Sequence, residues 1–259
     1  MTDASAQTQN KKIYTREEFE ELRIRKAREM KADESLQKDA FELFARADEK
    51  YWVHQTNWFG EPILNLPQDM FALQEIMFRT RPDYVLEIGA AWGGSLLFYS
   101  TIMEAIGGKG VIAVDIFIPD DLKERIGRHG RISDRIRWVQ GSSTEQSTLG
   151  KVKDLIGEGS NVLVILDSDH THDHVLKELR LYAPLVRPGQ YLVCSDGVIE
   201  KIPPNPLRPR SWGPGDNPLT AINAFLKEDQ RFVVDEDLEA KLLLTCNPRG
   251  YLRRIENFD

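Results

Sequence analysis

Cysteine is nearly missing from this chain: two residues in 259, Cys194 and Cys246, both inside apolar runs that read as strands. Two such thiols cannot make the disulfide framework of a small secreted domain or a thiolate metal site. They fit buried, reduced side chains, and a cytoplasmic protein is the expectation. Long apolar runs are missing too. No segment approaches the ~18 apolar residues of a membrane span, and the polar first ten residues lack the apolar stretch of a signal peptide. Excess positive charge is also absent. The formal charge is −7, which argues against nucleic acid as the main partner, because phosphate binding wants a basic face. One basic cluster, Arg23, Arg25, Lys26 and Arg28, is flanked by Glu20, Glu21 and Glu29 and reads as a solvated helix face. No internal repeat is visible.

What is present is an alternation of apolar runs and amphipathic stretches over a length that can bury a full α/β core. The spacing predicts strands at 84–88, 110–115, 135–139, 162–166 and 191–195, with helices between them and short turns joining them. A mostly parallel, doubly wound sheet with helices on both faces follows. Late strands are expected at 232–234 and 242–246, which makes seven, and 251–255 is a further candidate for that edge. Thr15 with Glu18 forms a capping box, and Asn217-Pro218 reads as the start of another helix. Residues 1–66 are expected to be an extension, disordered over 1–12 and then helical, lying on the core or against a partner subunit in a homo-oligomer. Residues 67–259 are expected to form the α/β domain. Within it, residues 201–217 carry five prolines with Arg208, Arg210 and Trp212. That is too rigid for a helix and too long for a plain connection, so it is read as a lid or binding loop.

The chain is organised around DYVLEIGAAWGGS, residues 83–95. An apolar strand runs into Gly89, Gly93 and Gly94, and Ser95 opens a helix, an arrangement that brings backbone close to a ligand at the strand's carboxyl end. The spacing G-x-x-x-G-G differs from the G-x-G-x-x-G of dinucleotide binders. With Glu87 two places before the first glycine, it resembles the first motif of class I S-adenosylmethionine (SAM) methyltransferases. Asp115, at the end of the next strand, can accept hydrogen bonds from ribose hydroxyls. NAD and SAM share that ribose, so Asp115 does not choose between them, and it could equally cap the turn that follows.

The fourth strand runs into Asp167-Ser168-Asp169-His170-Thr171-His172-Asp173-His174, and the fifth into Ser195-Asp196. Neighbouring strand ends bring Asp167 or Asp169 against Asp196. Carboxylates so close require a shared proton or a cation, and hard oxygen ligands favour Mg²⁺. His170, three residues past Asp167, is the candidate base, since imidazole is the side chain that commonly exchanges protons near working pH. Three histidines could instead bind zinc or iron.

The runs DSDHTHDH, LYAPLVRPGQYLV, WFGEPILNLPQD, PDYVLEIGAAWGGS and WGPGDNP together resemble the cephalosporin hydroxylase family, from about Trp58 to the C-terminus. More distantly the chain is similar to macrolide-sugar and catechol O-methyltransferases. The resemblance implies a SAM-binding fold with a magnesium site at its strand ends. By position, Glu87, Gly89 and Asp115 would hold SAM, with Ala90, Gly93, Ser95, Ser142 and Asp167 beside them. Asp167, Asp169, Ser195 and Asp196 would hold Mg²⁺, and Asp167 and His170 would be catalytic. Relatives tend to place two adjacent acidic or amide ligands where this chain has Ser195-Asp196. The family label suggests a second reading, an iron hydroxylase, but none of the five histidines is followed two places later by an acid, as a facial triad would ask. A third reading is a non-catalytic partner subunit with the same fold. The expectation is a Mg²⁺- and SAM-dependent O-methyltransferase acting on a hydroxyl of a sugar or natural-product molecule.

Overall fold

The computed structural model describes residues 14–255; the disorder expected for residues 1–12 lies outside them. Two helices come first, α1 (Arg16–Ala32) and α2 (Glu34–Asp48), followed by a small antiparallel hairpin of β1 (Thr56–Trp58) and β2 (Glu61–Ile63). Then α3 (Pro67–Thr80) leads into alternating units: β3 (Tyr84–Ile88), α4 (Gly94–Ile106), β4 (Gly110–Asp115), α5 (Asp120–Gly127), β5 (Ile136–Gln140), α6 (Gln146–Ile156), β6 (Val162–Leu166), α7 (His172–Tyr182) and β7 (Tyr191–Cys194). The chain closes with α8 (Pro218–Glu228), β8 (Phe232–Val234), α9 (Glu236–Ala240) and β9 (Tyr251–Arg254).

Strands β3 to β9 form one seven-stranded sheet in the order β5-β4-β3-β6-β7-β9-β8. The five strands from β3 to β7 are parallel, and β9 inserts antiparallel between β7 and β8. This is the doubly wound α/β sheet expected from the alternation. Period-two side chains build its two faces. Val85, Val111, Leu163 and Val193 pack with α3 and α4 on one side, while Leu86, Ile112, Val164 and Leu192 pack with α6, α7 and α8 on the other. Central strands buried on both faces have no need of polar alternation, which is why they read as continuous apolar runs. Strand order reverses between β3 and β6, and a crevice opens there at the carboxyl ends.

The caps form as their chemistry requires. Thr15 Oγ1 accepts from the Glu18 N–H at 3.2 Å while Glu18 takes the Thr15 N–H, and Asn217 Oδ1 accepts from the N–H groups of Leu219 and Thr220. The basic cluster of α1 is spent on neighbours: Arg23 pairs with Glu20, Arg25 and Lys26 with Glu29, and Arg28 with Asp237. Both cysteines are free and buried.

One expected strand is not there. Residues 242–246 turn rather than extend, with Leu243 at φ 55°. Their apolar side chains do not alternate across a sheet; Leu244 and Cys246 sink into a third cluster with Phe44, Val53 and Leu66. No neighbouring strand satisfies this backbone. The buried Asp69 carboxylate fastens its end instead, accepting from Cys246 N–H at 2.8 Å, Thr245 Oγ1 at 2.5 Å and Tyr251 OH at 2.8 Å. Burial pushes the Asp69 carboxyl up to about 6. Asp69→Ala strands three buried donors, so unfolding by denaturant should show a loss on the order of 3 kcal/mol or more; an unchanged midpoint would mean the segment is held by its apolar contacts alone.

Candidate active site

The end of β3 and the end of β6 lie against each other so closely that only glycine fits. Gly89 has φ +101°, and a Cβ there would stand 2.1 Å from the Asp167 carbonyl oxygen. The adjoining turn is fastened by Asp115 at the end of β4. Its Oδ2 accepts from the Ala90 N–H at 2.8 Å and its Oδ1 from the Phe117 N–H at 3.1 Å. Asp115 therefore does cap the turn, yet an ionised carboxylate offers about four lone-pair directions, and it faces a cavity of about 430 Å³. Gly89, Ala91, Asp115, Ile116, Ser142, Ser143, Asp167, Asp169, His174 and Trp212 all line that space.

Four positions expected at the cofactor are not among the lining residues. Glu87 is buried behind the turn, where it accepts from Ser95 Oγ at 2.8 Å and from Tyr99; burial pushes its carboxyl up to about 8. Ala90 is buried, and Gly93, at φ +83°, abuts Ile126 and Leu122 of α5. These residues shape the turn from the inside. Several lining residues escaped the sequence reading, Ile116, Ala91 and Ser143 among them. Ile116 had a signal, an apolar side chain directly after the strand-end acid; Ala91 and Ser143 had none beyond their neighbours.

At the mouth of this cavity Asp167, His170 and Asp196 each offer a ligand atom, and the three atoms lie within 4.8 Å of one another. His170 Nε2 stands 3.4 Å from Asp196 Oδ2. Asp196 sits in the left-handed region at φ 59°, a conformation uncommon outside glycine that turns up at ligand sites, and its N–H is held by Asn247 Oδ1 at 3.2 Å. Burial, then the charges of Asp196, Glu87 and Glu178, push the Asp167 carboxyl well above its ordinary range. Such a group needs a proton or a cation between its members. The two carboxylates are hard oxygen donors that suit Mg²⁺ with waters completing its shell, and the imidazole stands beside them.

Asp169 is not a member of the group: its Oδ1 accepts from Thr171 N–H at 2.8 Å and Thr171 Oγ1 at 2.5 Å. Ser195 is buried, and its N–H extends the β6–β7 ladder to the Leu166 carbonyl at 2.9 Å. Among the described residues the three neighbouring histidines do not converge, which removes the zinc or iron site that their spacing allowed. His172 donates its N–H to Asp216 Oδ1 at 2.7 Å, and its Nδ1 is 2.7 Å from Thr220 Oγ1. His174 Nε2 lies 3.1 Å from both Ser143 Oγ and Glu178 Oε1, and the Glu178 contact raises its pKa.

The proline-rich segment closes the other side. Trp212 packs edge-on against His170, ring centroids 4.8 Å apart, and its buried indole N–H has no partner among the described residues. Arg208 and Arg210 reach back to Asp48 at the end of α2, which ties the N-terminal helices to the site. Nothing in the sequence marked Asp48, one acid among many in a charged helix.

A family model described as Rhamnosyl O-methyltransferase/CmcI matches residues 49–255. Rhamnosyl O-methyltransferases from Mycobacterium tuberculosis and Mycobacterium leprae are 31% and 33% identical to the chain over 202 residues, which is 77% of it and 78% and 83% of those proteins. Among solved structures, apo CmcI superposes with a TM-score of 0.54 at 18% identity, covering 79% of this chain and 78% of CmcI. An O-methyltransferase from Bacillus cereus with SAH superposes at 0.51 and 16% identity, covering 86% and 92%. At these identities the superpositions show a shared fold, that of class I SAM-dependent methyltransferases.

The buried Glu87 generates a pH prediction. Its folded pKa lies above its unfolded one, so its contribution to stability is complete below about pH 4.5 and is lost as pH rises toward about 8. Glu87→Gln should flatten that fall, and urea unfolding of both proteins at pH 5 and pH 8 measures it. A wild-type slope equal to that of the variant would place the charge elsewhere.

Proposed function

This chain belongs to the rhamnosyl O-methyltransferase/CmcI family, and from that premise we propose that it is a SAM-dependent, Mg²⁺-assisted O-methyltransferase of a sugar or natural-product hydroxyl. The observation that carries the reading is the meeting of two features at one crevice: the cavity lined by Asp115, Ile116 and Ser142, and the Asp167–His170–Asp196 group at its mouth.

When bound, SAM supplies the sulfonium methyl group and Mg²⁺ supplies a positive centre for the acceptor oxygen. The remaining work falls to the chain. Asp115, with lone pairs left over from the two backbone bonds, is suited to a pair of ribose hydroxyls, and Ile116 to the flat apolar face of a base. Asp167 and Asp196 are the carboxylates that would hold the cation. The His170 imidazole is suited to take the proton of the acceptor hydroxyl, because Asp196 on one side and the Trp212 ring on the other hold it in place. Methyl transfer is an in-line displacement in which the carbon–sulfur bond breaks as the oxygen–carbon bond forms. Alignment and proton removal are therefore what the protein contributes. Trp212 keeps water from the side where the acceptor would lie. An iron hydroxylase is disfavoured by the donor set, one histidine and two carboxylates where the oxygenase triad uses two histidines and one.

Isothermal calorimetry should show SAM binding to the wild-type protein, an outcome that a pure scaffold subunit need not give. Asp196→Ala should leave SAM affinity within a few-fold while cutting magnesium-supported methyl transfer by at least about 100-fold, the several kcal/mol of charge stabilisation at stake. Full activity of that variant in EDTA would end the metal reading. Trp212→Ala should raise the acceptor KM by roughly 3- to 10-fold, the worth of one aromatic contact, with SAM affinity little changed. Unaltered kinetics would make the segment an ordinary surface loop.

A further inference from the structure

A second cavity, about 370 Å³, lies beneath the 201–217 segment, walled by Ile199, Ile202 and several prolines, with Arg208, Arg210 and Trp212 also facing it. Trp212 lines this space and the cofactor-side one alike, so the two adjoin beside His170.

The charges around it do not balance. Both guanidinium side chains are 12% exposed, and both lean on one carboxylate, Asp48, itself 5% exposed. Arg208 is the more engaged: Nη1 with Asp48, Nη2 with His54 Nε2 at 2.8 Å, and its guanidinium 5.0 Å from the Tyr51 ring centroid. Arg210 gives only Nη2 to Asp48 Oδ2, at 2.7 Å; its other N–H groups have no hydrogen-bond partner among the described residues. His54 does not offset the pair: its Nε2 accepts from Arg208, and burial lowers its pKa. The next carboxylate felt by Arg210 is Asp196, and in the methyltransferase reading the cation takes up that charge. One half-buried positive charge is left over. A charge partly withdrawn from water without a full partner is costly, and a guanidinium with free, coplanar donors is built to receive an oxyanion in bidentate fashion.

We propose that Arg210, backed by Arg208 and Asp48, is an oxyanion-recognition site that selects acceptors carrying a carboxylate or phosphate near the hydroxyl to be methylated. The proposal rests on the methyltransferase reading for what the second cavity holds, but its anion preference is measurable alone. Three probes differing only at one carbon serve: methyl β-D-glucopyranoside, its uronate and its 6-phosphate. Calorimetry or ligand-observed NMR is run on the wild-type protein with Mg²⁺ and S-adenosylhomocysteine, and again without them.

Both anionic probes should bind at least about ten-fold more tightly than the neutral one, the scale of one charge-assisted pair. Arg210→Gln should erase the difference, and Arg210→Lys should keep part of it. Equal affinities for the three probes in the wild type, absence of binding included, overturn the proposal, as does a preference that survives Arg210→Gln. Should Arg210→Gln fail to fold by circular dichroism, inorganic phosphate decides with the wild type: displacement of the uronate but not of the neutral glycoside supports the site, and no displacement overturns it. SAM titrated into the same wild-type protein keeps the two readings apart. Failure there sinks the methyltransferase assignment while leaving the anion preference to stand or fall by the probes.

Discussion

Carboxylates crowded together at the ends of adjacent parallel strands are the constraint around which this molecule is built. Asp167 ends β6 and Asp196 follows β7, and the ladder between those strands leaves the acids no room to separate. Glu87, Asp69 and Glu178 press on the same region from behind, each adding to the cost of ionising Asp167. Such repulsion stores a demand for positive charge. A fold that kept this arrangement without a use for it would give up stability for nothing, which is why the cluster is the centre of the functional reading.

The surroundings answer to that demand. Gly89 lets the β3 turn touch the Asp167 carbonyl, so cofactor-side cavity and acid cluster share a wall. Asp196, in a left-handed conformation, donates its N–H to the Asn247 side-chain oxygen, and Asn247 is tied in turn to Tyr251 of β9. The turn at residues 242–247, pinned on Asp69, thus serves the site indirectly, by fixing the amide that aims Asp196. Trp212 and the arginines beyond it close the open side. Their anchor is Asp48 in α2, so the N-terminal helices form part of the same construction.

Much of this could be read from residue order. Apolar runs separated by turn residues specify buried parallel strands, since backbone in the interior must pair and the side chains on both faces must be apolar. The strand-end acids Asp115, Asp167 and Asp196 were visible because a polar residue at the end of such a run has nowhere to go but the crevice. Residues 242–246 misled for the same reason: an apolar run looks alike whether it alternates across a sheet or sinks to one side, and only the position of Asp69 decides. Glu87, Ala90, Gly93 and Ser95 belong to a loop motif whose members point both inward and outward. Sequence spacing identifies the motif but not which side chains reach the cavity.

The sequence alone therefore determined the class of fold, the order of its strands' chemistry and the acids available at one edge, because hydrophobic period and turn chemistry are local properties. Tertiary structure decided which of those acids converge. Asp169 is taken by its own Thr171 and His172 by Thr220, while His170 is left facing Asp196. It also decided that Asp48, far away in sequence, stands beneath Arg208 and Arg210. Convergence of charges across the chain depends on distances of a few ångströms between segments, and no local pattern encodes those.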